Sequence, residues 1–367
     1  MAFQLTAEQR DIEAAIDRFI KSPNGANGRM WFSYTGAAGT GKSVLLGHLA
    51  RKYPAALPCA FTGKAALVLG RKAGVQAMTI HSALYICYGA DAETEELKFG
   101  RKIDAGSWKG RLVLVDEAST VSEWLAQDLL ATGCKVVACG DRGQLPPVKG
   151  RAFFTEGKPD AELKEVHRQA WDSPIIRQAH AVRRGDGYSD DGEDFRVVRQ
   201  VSVDELLGAD IVLCWRNETR RGLNRLIRGW KGFDERVARK GEPVMALRNN
   251  PEVGVLNGGI YELLEDHRAG EQKLAVVNEM GRRVVVPAAW IEDFDAAPPE
   301  AERTDRRGMA ADNPFAWGYC CTVHKSQGSE WDKVILVDEY NRSQDRDRFC
   351  YTALTRAAKS IIVQRNW

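Results

Sequence analysis

The residues with the clearest chemistry lie at positions 36–43, which read GAAGTGKS and fit the spacing GxxxxGK followed by Ser or Thr. An apolar run precedes them and a segment of helical periodicity follows, so a strand, a glycine loop and a helix are expected in this order. Glycines let backbone N–H groups face a phosphate chain, and the helix N-terminus adds a favourable dipole. Lys42 would reach the β- and γ-phosphates, and the Ser43 hydroxyl would ligate Mg²⁺. The segment predicts binding of a nucleoside triphosphate, the alternative being a glycine-rich turn with an accidental Lys-Ser.

An acidic pair, Asp116 and Glu117, follows the apolar run 112–115. In a phosphate-loop protein such an Asp holds Mg²⁺ through water, and the Glu polarises the attacking water. Taken alone, the pair would also suit the capped start of a helix. Its place after a phosphate loop and a second strand favours the catalytic interpretation.

The segment 140–148 reads GDRGQLPPV and follows the next apolar run. Two prolines stiffen the loop, so Gln144 would be held where its amide could touch the γ-phosphate. A simple proline turn is the alternative.

Arg168 and Arg356 lie near the two ends of a second α/β region that has no phosphate loop of its own. A lone Arg is usually a solvated surface residue, but two here suggest arginine fingers that reach the γ-phosphate.

Three polar loops are candidates for contacts with a nucleic-acid backbone, because they combine small hydroxyl groups, exposed N–H groups and basic side chains. Each loop alone is better interpreted as a solvated surface loop. The candidate residues are Thr62, Gly63, Lys64, Thr79, His81, Ser82, Thr322, His324 and Lys325.

The elements that must position these residues follow from the apolar pattern. Residues 6–20 predict a helix that Thr6 caps, with Gln9 at its third position. Apolar segments that each end in a polar loop predict a parallel α/β sheet, with ligands at the carboxyl ends of its strands. A second α/β set is expected from residue 158, and the short strands between 258 and 315 predict a small antiparallel insert.

A hairpin is predicted at about 85–102, within the first α/β region. Two short runs rich in aromatic and β-branched residues flank a polar, turn-forming stretch. Tyr88 and Phe99 are candidates for stacking on bases, which would make the hairpin a wedge for strand separation. A plain surface connection is the alternative.

Composition limits the possible classes of protein. The chain has 367 residues, 44% apolar residues and a formal net charge of +2, which fits a globular protein of two or three domains without a basic tail. Any nucleic-acid surface would therefore be a local groove. Eight cysteines without a CxxC pair predict reduced thiols, and no apolar run or signal peptide indicates a membrane partner. A cytoplasmic location, in a bacterial cell or a phage-infected host, is the expectation.

Eight motifs in order carry a resemblance to a known family. They read GAAGTGKS, FTGKAA, TIHS, VDEAS, GDRGQLPPV, EVHRQ, TVHKSQGSE and YTALTRA. In this order they resemble motifs I to VI of superfamily 1B helicases, and specifically those of RecD-like and Dda-like DNA helicases. The resemblance runs from about residue 5 to residue 362.

The resemblance implies a fold, a set of domains and an ATP site. It implies two RecA-like domains with ATP between them, at 1–157 and at 158–257 with 316–367, an SH3-like insert at 258–315 and a strand-separating pin at 85–102. It also implies that Gln9 reads adenine and that Arg168 and Arg356 are the arginine fingers. The ATP-binding residues implied are Gln9, Gly36, Gly39, Thr40, Gly41, Lys42, Ser43, Asp116, Gly328 and Glu330.

Two functions of different class share this ATP site. The first is a motor that moves 5′ to 3′ on single-stranded DNA and unwinds forked or tailed duplexes as a monomer, with single-strand-binding or replication proteins as possible partners. The second is a DNA-stimulated ATPase that remodels single-strand complexes without unwinding. An RNA helicase is a third option, which the 2′-hydroxyl group would distinguish. The hairpin favours the motor, since only unwinding needs a wedge.

Overall fold

The computed structural model describes residues 5–23, 25, 28–90, 97–147, 150–167, 171–233, 237–250, 253–278, 281–295, 312–340 and 345–365. The chain divides into two compact units. Unit 1 comprises Met1–Tyr85, Arg101–Asp191 and Asn341–Thr355. Unit 2 comprises Ile86–Gly100, Gly192–Tyr340 and Arg356–Trp367.

The helices begin at polar caps where the sequence supplies them. Helix α1 starts after Thr6, whose hydroxyl accepts from Gln9 N while the Gln9 side chain accepts from Thr6 N, and this capping box confirms the expected start. The described helices are α1 Ala7–Lys21, α2 Lys42–Lys52, α3 Gly63–Ala73, α4 Ile80–Leu84, α5 Glu123–Ala131, α6 Pro174–Arg184, α7 Val203–Gly208, α8 Asn217–Trp230 and α9 Arg346–Leu354.

The strands follow the apolar runs of the sequence. The first eleven are β1 Trp31–Gly36, β2 Leu57–Ala60, β3 Met78–Thr79, β4 Tyr85–Ala90, β5 Leu97–Arg101, β6 Leu112–Asp116, β7 Lys135–Gly140, β8 Ala161–Leu163, β9 Phe195–Val198, β10 Ile211–Cys214 and β11 Val237–Ala238. The others are β12 Pro243–Ala246, β13 Ile260–Glu262, β14 His267–Arg268, β15 Lys273–Val277, β16 Arg283–Pro287, β17 Ala289–Ile291, β18 Asn313–Trp317, β19 Cys320–Thr322, β20 Trp331–Asp338 and β21 Ala357–Arg365.

Unit 1 is built on a six-stranded parallel sheet in the order β3-β2-β6-β7-β1-β8. Its central strands β6 and β7 are buried along their whole length, because helices cover both faces of such a sheet. One apolar cluster joins α1 and α2 to one face, and another joins α5 to the other. The boundary expected at residue 158 lies just before β8, which pairs with β1, and unit 1 extends to Asp191.

Unit 2 contains a five-stranded parallel sheet in the order β19-β10-β20-β21-β9. The region of the expected antiparallel insert, 258–315, contributes to a four-stranded sheet in the order β13-β12-β18-β17 and forms a two-stranded antiparallel sheet of β15 and β16. The four-stranded sheet differs from the expectation, because β12 precedes residue 258 and β17 pairs with β18 in parallel. A shared apolar core that includes Val244, Leu274 and Phe315 holds these strands together. The two parallel sheets confirm the predicted α/β class.

None of the described helices combines the length and the apolar character that a membrane crossing requires.

Candidate functional site

The glycine loop joins the end of β1 to the start of α2, as predicted. Gly39 and Gly41 have φ values of 81° and 79°, in the left-handed region that glycine enters without strain. A Cβ atom on Gly41 would lie 2.5 Å from Gln9 Nε2 and 2.6 Å from His167 Nε2. The loop therefore needs glycine at this position, and Gln9 and His167 lie directly beside it.

Lys42 lies between the loop and the buried carboxylate of Asp141. Its ammonium group donates to the carbonyl oxygen of Ala37 at 2.9 Å and lies 3.6 Å from Asp141 Oδ2. Asp141 is fully buried and also accepts from Gly143 N at 2.9 Å and from the hydroxyl of Tyr351 at 2.5 Å. Fixed donors and a nearby cation keep this buried charge satisfied, and they tie Lys42 to the segment that carries Gln144.

Gln144, the candidate for a γ-phosphate contact, is buried. Within the described residues its Oε1 atom has no hydrogen-bond partner. The next residue is fixed, because Leu145 N donates to Thr352 Oγ1 at 2.9 Å. A buried side-chain oxygen without a partner is uncommon, so this acceptor fits a residue whose donor, such as a water, arrives with a ligand.

The acidic strand end lies beside the start of α2. Ser43 Oγ donates to Asp116 Oδ1 at 3.5 Å, and the same carboxylate oxygen accepts from Glu117 N at 2.9 Å and from Cys139 Sγ at 3.0 Å. Burial and the Asp116 charge raise the pKa of the Cys139 thiol, which keeps its proton available for this bond. Glu117 adopts a φ of 51°, which turns the backbone sharply at the end of β6.

Ser43 and Asp116 fit a Mg²⁺ ion, which takes one or two protein oxygens and keeps several waters. Within the described part of the chain, no cluster of three or more His, Cys, Asp or Glu side chains could hold a metal ion by itself. A Mg²⁺ ion that uses one hydroxyl and one carboxylate does not need such a cluster.

Gln9 fits a residue that reads a base. Its Oε1 atom accepts from Thr6 N at 3.1 Å, whereas its Nε2 atom is buried and has no hydrogen-bond partner among the described residues. A buried amide donor without a partner is costly unless a ligand accepts from it. Its place beside Gly41 puts that donor next to the phosphate loop.

The two arginine candidates differ in what the structure describes. Arg356 is only 6% exposed, and its Nη1 donates to the carbonyl oxygen of Ser329 at 3.2 Å. Arg356 therefore lies against the segment that contains Gly328, which has a φ of 77°, and the exposed Glu330. Arg168 lies outside the described residues. The residue before it, His167, donates its N–H to the carbonyl oxygen of Gly39 at 3.1 Å.

The first two candidate DNA loops follow β2 and β3, which are neighbours in the sheet of unit 1. Thr62 caps α3 by accepting from Ala65 N at 3.1 Å, and Gly63 is the first residue of that helix, with Lys64 after it. Thr79 caps α4 by accepting from Ser82 N at 3.0 Å. Because the ends of parallel strands meet at one edge, the structure brings these two loops together.

His81 has a different environment from the one expected of a phosphate-binding cation. Its ring packs against Phe61 with ring centres 5.6 Å apart, and burial lowers its pKa from the usual 6.5. The imidazole is therefore neutral at pH 7, and it is a less suitable partner for a phosphate charge than Lys64.

The third candidate loop follows β19 in unit 2. Ser326 N donates to the carbonyl oxygen of Thr322 at 3.1 Å, which closes a tight turn. Lys325 Nζ donates to Asn257 Oδ1 at 3.0 Å, and burial lowers the Lys325 pKa. The ring of His324 packs against Trp215, with ring centres 5.1 Å apart.

The predicted hairpin is present, since β4 and β5 form a two-stranded sheet. The side chains of Tyr88 and Phe99 lie outside the described residues. At the root of the hairpin, the Tyr85 hydroxyl and the Arg101 guanidinium both donate to the Asp128 carboxylate on α5. Within unit 1, these contacts bind the two end residues of the hairpin to the helix that follows the Asp116–Glu117 strand, whereas Ile86–Gly100 group with unit 2 rather than with the first α/β region in which the hairpin was expected.

Several residues of these sites were not predicted from sequence. Each of them has an aromatic ring or a polar group that contacts one of the predicted sites, or the predicted hairpin, from another part of the chain. Aromatic residues directly after β2 and β10 were a signal that could have identified two of them. The missed residues are Phe61, Trp124, Asp128, Trp215 and Tyr351.

Comparison with known proteins identifies matching families and relatives. The family described as AAA domain matches residues 4–199, and the family described as UvrD-like helicase C-terminal domain matches residues 318–363. The ATP-dependent DNA helicase Pif1 of Bdellovibrio bacteriovorus is 34% identical over 356 residues, an alignment that covers 82% of this chain and 76% of that protein. The ATP-dependent RecD2 DNA helicase of Deinococcus radiodurans is 29% identical over 356 residues, which cover 88% of this chain.

The chain spans 45% of the length of the RecD2 relative. Among solved structures, the Bacteroides Pif1 bound to ssDNA superposes with a TM-score of 0.63 at 20% identity and covers 100% of this chain and 93% of its own. This likeness shows the same fold. With the profile match over residues 4–199 and the Bdellovibrio relative, the motif resemblance is confirmed: the chain belongs to the RecD/Pif1-like group of superfamily 1B helicases.

Proposed function

We propose that this protein is an ATP-dependent DNA helicase that translocates 5′ to 3′ on single-stranded DNA and unwinds duplex DNA ahead of it. The observation that supports this most is the glycine loop beside Asp116, Glu117 and Asp141, in a chain of the RecD/Pif1-like group. The names of the relatives describe DNA helicases, and several neighbours were solved with single-stranded or forked DNA.

In the proposed mechanism, the loop amides and Lys42 bind the phosphates of ATP, and Gln9 reads the adenine through its unpaired amide donor. Ser43 and Asp116 would hold Mg²⁺, which would neutralise charge on the phosphates. Glu117, whose backbone turns sharply directly after Asp116, orients the attacking water and takes its proton.

Three further residues, Gln144, Arg168 and Arg356, would couple hydrolysis to the presence of the γ-phosphate. Gln144 donates to a γ-phosphate oxygen from its amide Nε2, which leaves the unpaired Oε1 to accept from the attacking water. Arg356 and Arg168 act as arginine fingers that stabilise the charge of the transition state. Arg356 is held against the Gly328 segment, so movement of that segment would move the finger. The polar loops after β2, β3 and β19 bind the single strand.

An unwinding assay tests this proposal. Duplexes with a 5′ or a 3′ single-stranded tail are offered together with ATP and Mg²⁺, and Lys42→Ala is the inactive control. Unwinding of the 5′-tailed duplex alone is expected. Unwinding of only the 3′-tailed duplex would contradict the polarity.

The second candidate is a DNA-stimulated ATPase that remodels single-strand complexes without unwinding. ATPase activity that DNA stimulates, without separation of either duplex, would favour it. Stimulation by RNA equal to that by DNA would instead indicate an RNA-directed enzyme.

A further inference from the structure

The two parallel sheets place a His and an aromatic residue at equivalent positions. In unit 1 the edge strand β3 leads into TIHS at 79–82, and its neighbour β2 is followed directly by Phe61. In unit 2 the edge strand β19 leads into TVHKS at 322–326, and its neighbour β10 is followed directly by Trp215. In both units the His ring packs on the aromatic ring, with ring centres 5.6 Å and 5.1 Å apart.

In unit 1 this pair continues into an exposed tryptophan. The ring of Trp124, at the start of α5, lies 5.6 Å from the ring of His81 at an angle of 67°, and 6.3 Å from that of Tyr85. Trp124 is 50% exposed, whereas its neighbour Leu125 is fully buried in the core. The indole therefore packs against the His81 loop and remains half exposed, which leaves aromatic surface available to a ligand.

In unit 2 the tryptophan is held rigidly. The ring of Trp215 lies 4.4 Å from that of the buried Tyr340 at an angle of 85°. The Glu339 carboxylate accepts from Trp215 N at 2.9 Å and from Arg216 N at 2.8 Å. These contacts fix the indole beside His324 at the carboxyl end of the sheet.

The chemistry of these clusters suits bases better than phosphates. Burial lowers the His81 pKa, so that ring brings no charge to a phosphate at neutral pH. Flat aromatic rings stack on the π-face that every base offers, whatever the sequence. The hydroxyl and lysine groups of the adjacent loops remain suited to the backbone of the same strand.

We propose that Trp124 in unit 1 and Trp215 in unit 2 each stack on a nucleobase of single-stranded DNA. The proposal rests on the proposed function, since it assigns how the predicted strand is held. It adds base contact to a surface that was expected to bind mainly phosphates.

The test compares two strands of equal length and equal phosphate number, oligo-dT and an oligomer of abasic sites, by fluorescence anisotropy. Trp124→Leu and Trp215→Leu keep apolar packing but lose most of the flat aromatic surface. Each is expected to weaken oligo-dT binding roughly tenfold, the scale of one base–aromatic stack, and to leave abasic binding and the salt dependence unchanged. Trp124→Phe and Trp215→Phe should restore most of the loss.

Trp230→Leu is the matched control, because Trp230 is 42% exposed on α8 and, among the ring contacts that the structure describes, belongs to neither His cluster. It should bind both strands as the wild type does. Equal weakening of both strands, or unchanged oligo-dT binding, in a Leu variant would overturn the proposal for that tryptophan. A wild-type protein that binds neither strand would instead refute the proposed function itself, which keeps the two failures distinct.

Discussion

The hydroxyl of Tyr351 donates to the buried carboxylate of Asp141 at 2.5 Å, and the same oxygen accepts from the phosphate-loop amide of Ala38 at 2.6 Å. Burial and the Asp141 charge hold the pKa of Tyr351 well above its usual value, so the hydroxyl keeps its proton. One side chain of α9 therefore joins the phosphate loop to the segment that carries Gln144. Asp141 lies 3.6 Å from the ammonium group of Lys42, so this link reaches the residue that would bind the phosphates.

Tyr351→Phe should disturb both stability and turnover. It leaves the ring in place but removes the donor to a buried carboxylate, which should lower the free energy of unfolding by about 1–3 kcal/mol. ATP turnover should fall several-fold, because Lys42 and the loop lose a fixed neighbour. Thermal unfolding and steady-state ATPase measurements check this.

Tyr53→Phe is the control for Tyr351→Phe. It removes a similar hydrogen bond, from the Tyr53 hydroxyl to the Asp17 carboxylate at 2.6 Å, and no described hydrogen bond joins Tyr53 to the phosphate loop. Its ATPase activity should equal that of the wild type. If Tyr351→Phe hydrolyses ATP as fast as Tyr53→Phe, the link has no role in turnover.

Lys42→Ala and Glu117→Gln should separate nucleotide binding from hydrolysis. Lys42 lies in the loop that would hold the phosphates, so its loss should weaken binding and turnover together. Glu117→Gln keeps the backbone bond to Asp116 but cannot take a proton, so binding should persist while turnover falls by orders of magnitude. Calorimetric titration of a non-hydrolysable ATP analogue and an ATPase assay measure the two effects. Hydrolysis by Glu117→Gln at the wild-type rate would exclude the proposed role.

Arg356→Ala should leave ATP affinity within about tenfold but reduce DNA-stimulated turnover by orders of magnitude, as the loss of an arginine finger does. The same result is expected for Arg168→Ala. Arg348→Ala, an exposed arginine on α9, is the control and should be fully active. Full activity of the Arg356 or Arg168 variant would remove that residue from the site.

The lowered pKa of His81 predicts how stability depends on pH. The unfolded chain protonates this ring near pH 6.5, whereas the folded chain does so only at lower pH. Stability should therefore be fully present above pH 6.5 and should fall as the pH drops below it. His180, whose pKa burial also lowers, should contribute in the same direction.

The variant His81→Phe tests the part that belongs to His81. It keeps an aromatic ring against Phe61 but cannot take a proton. Melting temperatures between pH 5 and pH 8 should show a shallower acid slope than those of the wild type. An unchanged slope would mean that His81 does not contribute.

The sequence allowed the prediction of features that local patterns determine. The phosphate loop, the Thr6–Gln9 cap and the strand before Asp116 each depend on residues a few positions apart. It did not reveal the Tyr351–Asp141 bond, because 210 positions separate these residues and only the fold brings them together. Nor did it show that β8 pairs with β1, since a three-residue strand carries too little periodicity to assign it to a sheet.

The last prediction concerns the hairpin as the strand-separating element. Replacing residues 88–99 by a short Gly-Ser turn should leave single-strand-stimulated ATPase largely intact and abolish unwinding, because a wedge needs the stiffness of paired strands. Asp128→Asn is the milder variant, since it removes the charge that receives Tyr85 and Arg101 at the hairpin root without shortening the chain. Unwinding should then slow while ATPase is retained, so that more ATP is consumed per base pair separated. Gln127→Ala is the control, because Gln127 lies on the same helix and its side-chain amide bonds only to Glu123 among the described contacts. This variant should consume as much ATP per base pair separated as the wild type does. Wild-type unwinding of a 5′-tailed duplex by the shortened protein would place the separating element elsewhere.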